Sequence, residues 1–213
     1  MSMSRRIAPF HLDVLKEAGN IGAGHAATAL SSLLAKDIDM KVPQVKLEPF
    51  HMLGDTLRED METVAAIYFR IDGEVTGSMF FMLPVKEASS FAQKLTGDSS
   101  QKITVSNTTE LAVSALSEAG NILAGSYLTA LADFTRLNLI PSPPGFAVDM
   151  ASAILSYALV PLSAAADEAL IIETEIIENG RESNRALNGF FFFLPDPGSL
   201  GKILQSLGVP EDE

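Results

Sequence analysis

Two long stretches of this chain carry apolar residues at three- and four-residue steps, and each predicts a long helix. The first spans residues 9–36, with Leu12, Leu15, Ala18, Gly22, Ala26, Ala29 and Leu33 on one stripe. The second spans residues 104–134. Elsewhere the period shortens to two. Residues 62–72 place Ala65, Ile67, Phe69 and Ile71 on one face of a strand. Asp72-Gly73 signals a hairpin turn, and residues 77–83 form the returning strand, stopped by Pro84. Residues 37–49, punctuated by Pro43 and Pro49, suit a strand followed by a loop and a short helix. Residues 85–95 predict a short helix ending near Gly97. In the second half a strand is expected at 135–140, and a short helix at 149–157 with Asp149 near its N-terminus. Strands at 169–177 and 187–194 and a last helix at 198–207 follow. Phe190, Phe191, Phe192 and Phe193 in a row predict a strand buried on both faces, since exposure would invite edge-to-edge aggregation.

The two long helices are copies. Glu-Ala-Gly-Asn-Ile-Gly-Ala-Gly at 17–24 returns as Glu-Ala-Gly-Asn-Ile-Leu-Ala-Gly at 118–125, a displacement of 101 residues. Ten of the fourteen positions from Glu17 to Leu30 are identical at that displacement, the mark of a duplicated unit. Phe-Phe-Met-Leu-Pro at 80–84 and Phe-Phe-Phe-Leu-Pro at 191–195 also correspond, now 111 residues apart, so about ten residues were inserted between. The expected architecture is α/β of the α+β type: two pseudo-symmetric halves, about 1–98 and 99–213, sharing one sheet covered by two long helices.

Composition narrows the function. A chain of 213 residues with 47% hydrophobic and 20% charged residues is globular rather than disordered. A net charge of −12 argues against nucleic acid or an anionic membrane as partner and favours a basic protein surface. There is no cysteine, so neither a disulfide framework nor thiol chemistry. His11, His25 and His51 are scattered and suggest no metal site. The two arginines near the N-terminus precede no apolar segment, and no stretch is long enough to span a bilayer, so a soluble cytoplasmic protein is expected. Glu211–Glu213 reads as a solvated tail.

Helical geometry gathers the candidate chemistry. At about 100° per residue, Asp13, Glu17, Asn20 and Gly24 form a row on one face, and Ser114, Glu118, Asn121 and Gly125 form its copy. The row lies away from the apolar stripe and should face solvent. Each glycine costs a helix interior about 1 kcal/mol relative to alanine, so Gly19, Gly22 and Gly24 each need a reason. Gly22 becomes Leu123 in the copy, which suggests packing, whereas Gly24 and Gly125 stay beside the amide and belong to the site. A dinucleotide loop is disfavoured, because the glycines sit in mid-helix and do not follow a strand. No nucleophile–base pair is visible. An amide both donates and accepts, so it can orient a water molecule; a carboxylate can accept from a lysine or from that water. Such a pair suits a reaction whose substrate supplies everything else, as a protein acyl phosphate does.

The pattern Asp/Ser-x-x-x-Glu-x-x-Asn, followed after twenty-two residues by proline, resembles the signature of the CheC/CheX/FliY family of chemotaxis phosphatases. It occurs as Asp13, Glu17, Asn20 and Pro43, and again as Ser114, Glu118, Asn121 and Pro144. Two signatures in one chain, with no further domain, resemble the CheC type. The resemblance implies hydrolysis of the aspartyl phosphate of CheY-P. Asn20 and Asn121 would position the attacking water, Glu17 and Glu118 would pair with a lysine of the regulator, and Asp13 and Ser114 would support the contact. Magnesium would belong to CheY-P, with no cofactor on this chain. The resemblance also implies a possible partner in CheD, with Asp149, Met150 and Ile154 as candidate contacts, and the alternative of a largely non-catalytic CheD-binding regulator or CheY-P sink. A duplicated chain is expected to be a monomer.

Overall fold

The structure, a computed structural model, describes residues 9–53, 62–159, 168–179 and 186–208. The first half contains α1 (Pro9–Leu34), β1 (Ile38–Lys41), β2 (Val45–Pro49), a 3-10 turn (Phe50–Met52), β3 (Thr63–Gly73), β4 (Gly77–Pro84) and α2 (Val85–Thr96). The second contains α3 (Glu110–Thr135), β5 (Leu139–Pro141), β6 (Gly145–Met150), α4 (Ala151–Leu159), β7 (Glu168–Glu178), β8 (Ala186–Pro195) and α5 (Ser199–Ser206). The strands form one eight-stranded sheet in the order β1-β7-β8-β4-β3-β5, with β2 also on β7 and β6 also on β3. All pairings are antiparallel.

The order reads the same from either end when each strand is exchanged for its counterpart in the other half. β1 and β2 pair with β7 of the second half, and β5 and β6 pair with β3 of the first. Each half therefore completes the outer part of the other's sheet. At the centre Phe80 faces Phe192 and Phe81 faces Phe191, the repeated phenylalanines of the two copied strand motifs. The Phe81 and Phe191 rings stack with centroids 4.7 Å apart.

Alternation along β3 divides the core. Ala65, Ile67, Phe69 and Ile71 face the layer holding α1, α2 and α3. Val64 and Ala66 point the other way, where Phe80, Phe190 and Phe192 meet Ala151 and Leu155 of α4. All four residues from Phe190 to Phe193 are buried, as the run of phenylalanines predicts.

Several boundaries differ from the sequence reading. α3 starts at Glu110, not at 104: residues 103–108 close a small turn through the Ile103–Thr108 bridge, and the Thr109 hydroxyl caps the helix by accepting from the Ala112 N–H at 3.3 Å. Thr135 ends that helix instead of opening a strand, and Arg136 takes a left-handed backbone, as Ala35 does at the matching place after α1. Residues 37–49 hold two strands, and the expected short helix is a single 3-10 turn. β6 was not foreseen. It pairs with β3 from Thr63–Met150 to Tyr68–Gly145, so Asp149 and Met150 end a strand and α4 begins at Ala151. Leu33, expected on the apolar stripe, is exposed, while Leu30 and Leu34 on the other side of the last turn pack into the core. The tail at 211–213 lies outside the described residues.

Candidate functional site

α1 and α3 pack against each other on one face of the sheet, and each turns its polar row outward. Asp13, Glu17 and Gly24 are exposed on α1; Ser114, Glu118 and Asn121 are exposed on α3, with Gly125 partly so. Asn20 departs from the expectation, being half-buried.

The glycines separate into two kinds. A Cβ on Gly22 would lie 2.9 Å from the Tyr127 Cα, so Gly22 sits in a close backbone contact between α1 and α3. A Cβ on Gly120 would meet Ile67 at 2.9 Å, and one on Gly19 would touch Val42 at 3.4 Å. At Gly24 and Gly125 a Cβ would meet nothing within 4 Å. The chain's own packing therefore requires Gly22 and Gly120 but neither glycine beside the amides. Those two leave bare backbone open to whatever approaches the row.

The amides are held differently. Asn20 Oδ1 accepts the backbone N–H of Val42 at 3.1 Å, and Lys16 Nζ donates to the Pro43 carbonyl at 2.6 Å. A backbone N–H can meet only the amide oxygen, so the Asn20 NH₂ is left out of this bond. The position matching Val42 is Pro143, which has no N–H, and Ser117 stands for Lys16. Asn121 makes no side-chain hydrogen bond among the described residues. The second loop is tied to the sheet instead: Ser142 N–H donates to the Arg70 carbonyl at 2.7 Å, and Ser142 Oγ accepts from the Arg70 N–H at 2.9 Å. The Arg70 guanidinium in turn forks onto Asp196, and that hydrogen bonding holds the Asp196 carboxyl below the usual carboxylate range. Helical spacing alone does not point to Lys16 or Val42. The available signal was the valine–proline difference at the repeat displacement.

Asp149, Met150 and Ile154 are not part of either row. Asp149 and Met150 are exposed at the end of β6, where Asp149 Oδ1 accepts the Met150 N–H at 2.7 Å. Ile154 is half-buried on α4, against the core on the opposite sheet face. A groove of about 710 Å³ runs there, lined by Tyr68, Phe80, Phe146, Asp149, Ile154 and Tyr157 among others. Neither row opens into it.

The structure is thus one antiparallel sheet backed by paired helices, with a copied row of mostly exposed polar residues on each of the two long helices. The chain belongs to the CheC-like family, whose family model matches residues 10–47 and again 111–148. It is 42% identical to the CheY-P phosphatase CheC of Bacillus subtilis (strain 168), over 98% of this chain and 99% of that protein. In fold it resembles Thermotoga maritima FliY, with a TM-score of 0.74 at 21% identity, covering 94% of this chain and 96% of that one. It also resembles a chain in the CheX-CheY-BeF3-Mg+2 complex from Borrelia burgdorferi, with a TM-score of 0.52 at 19% identity, covering 87% and 97%.

Proposed function

We propose that this chain is a protein aspartyl-phosphate phosphatase that hydrolyses CheY-P, as the name of its Bacillus subtilis relative states for that protein. The observation that carries the reading is the pair of copied rows, each with an exposed carboxylate and an amide three residues apart beside a glycine whose missing side chain no described residue replaces. A row of side chains along an exposed helix face suits a substrate that is itself a folded protein. The phosphorylated regulator brings the acyl phosphate, its magnesium ion and a charge-neutralising lysine. Glu17 and Glu118 accept from that lysine and fix the docking register. Asn20 and Asn121 hold the attacking water in line with the phosphorus, and Asp13 and Ser114 widen the polar contact. Gly24 and Gly125 let the partner come close enough for the amide to reach the phosphate. Magnesium stays with the substrate, and this chain needs no cofactor of its own.

The molecule acts as a cytoplasmic monomer in this reading, its two halves related by a pseudo-two-fold axis. No helix among the described residues is long and apolar enough to cross a membrane. A second reading rests on the opposite sheet face, where Met150 and Tyr157 are exposed beside the groove. Such a surface would suit CheD, with Asp149, Met150 and Ile154 in contact, and would make the protein a largely non-catalytic regulator or a CheY-P sink.

Steady-state phosphate release from purified CheY, acetyl phosphate and magnesium separates the two. Turnover of many CheY-P molecules per chain is expected. Stoichiometric binding without faster release would leave only the regulator reading, and repetition with CheD tests the second face.

A further inference from the structure

We propose that Phe10 and Leu111 are apolar docking anchors for the response regulator, one at the head of each row; this rests on the reading that CheY-P docks on those rows. The two residues occupy the same place in the repeat, 101 positions apart, and the family match begins on them in both copies. Both are large, apolar and uncovered, Phe10 at 65% and Leu111 at 54% exposure. On the helix Phe10 lies within about 20° of Glu17 and ~10 Å before it along the axis. Leu111 stands in the same relation to Glu118. Ile21, one turn past Glu17, is also exposed, and its counterpart Ile122 is partly so. Each carboxylate is thus flanked along its row by apolar surface.

Packing among the described residues gives no reason for these side chains to be apolar. Phe10 touches the ring of its neighbour His11, with centroids 5.7 Å apart, and joins neither core. Leu111 joins neither core either. The contrast with Gly22 and Leu123 is instructive, because that change has an internal neighbour in Tyr127 to explain it. From Phe10 to Leu111 shape changes but outward apolar character stays. Charge complementarity with a basic partner speeds encounter, whereas affinity comes from a few desolvated apolar or aromatic anchors surrounded by polar rim. A row with one apolar residue two turns from its carboxylate has that anatomy.

The test reads each site alone, with Phe10→Ser in an Asn121→Ala chain and Leu111→Ser in an Asn20→Ala chain. Loss of an anchor removes binding that is equal in ground and transition states, so KM for CheY-P should rise ~10-fold while kcat holds. Phe10→Leu and Leu111→Phe should keep KM within about twofold, because they keep the apolar surface. An unchanged KM in the serine variants, or a fall in kcat alone, overturns the anchors while leaving phosphatase action intact. Absence of CheY-P turnover by the unaltered chain overturns the functional reading and the anchors together.

Discussion

α1 and α3 carry the same row of polar residues but secure it by different means. On α1 the amide oxygen of Asn20 is bonded to Val42 N–H, and Lys16 ties the adjoining carbonyl of Pro43 to the same helix. On α3 the loop is fastened to β3 through Ser142 and Arg70, and Asn121 is left exposed. One valine-to-proline difference accounts for the change, since proline removes the donor that the asparagine would meet. The helix crossing diverged by exchange of size: Gly22 and Tyr127 meet on one side, while the counterparts of these residues are Leu123 and Ala26. What stayed constant is the outward carboxylate, the amide three residues on and the unfilled glycine beside it. Duplication left the interior free to diverge by compensation and kept the surface that another protein would touch.

The sharpest way to break this comparison is to fill the two kinds of glycine. Gly24→Trp in an Asn121→Ala chain, and Gly125→Trp in an Asn20→Ala chain, should each lower phosphate release ~100-fold by holding the partner off the amide. The fold should tolerate both, because the added atoms begin in open space. Gly24→Ala should raise the unfolding free energy by about 1 kcal/mol in a denaturant titration. Gly22→Ala should lower it by about 1–3 kcal/mol by pushing the helices apart, without a specific effect on either site. Equal behaviour of Gly22 and Gly24 in these assays would remove the distinction between packing and site glycines.

A smaller effect sharpens the contrast between the amides. A pre-fixed amide needs no ordering when the partner arrives, and the bond that fixes it is worth about 0.5–1.5 kcal/mol. Val42→Pro in an Asn121→Ala chain should therefore slow kcat at the first site ~3–10-fold. Pro143→Val in an Asn20→Ala chain supplies the missing donor and should speed the second site by a similar factor. Single-site phosphate release measures both. If neither substitution moves its site, the bond to Val42 is structural only.

Much of this molecule is legible in its sequence, and the failures have physical reasons. The long helices show as copied apolar stripes, and β3, β4, β7 and β8 show because their alternation or burial is strong. β6 escapes because it is a half-exposed edge strand behind Pro141-Ser-Pro-Pro144, with no clean alternation. The start of α3 is misplaced because Thr104, Thr108 and Thr109 all suit a cap, and only the turn closed between Thr104 and Asn107 selects the last. The rows are readable from helical spacing. The half-burial of Asn20 is not, since it depends on where the loop after β1 falls in space.

The central claim is that both amides position water for attack on a bound acyl phosphate. Its most direct test is the decay of phosphorylated CheY with Asn20→Ala, with Asn121→Ala and with both together. Each single change should leave one working site and a partial rate, and the double change should lose ~10²–10³ of the acceleration. Full acceleration in the doubly changed, folded chain would contradict the account.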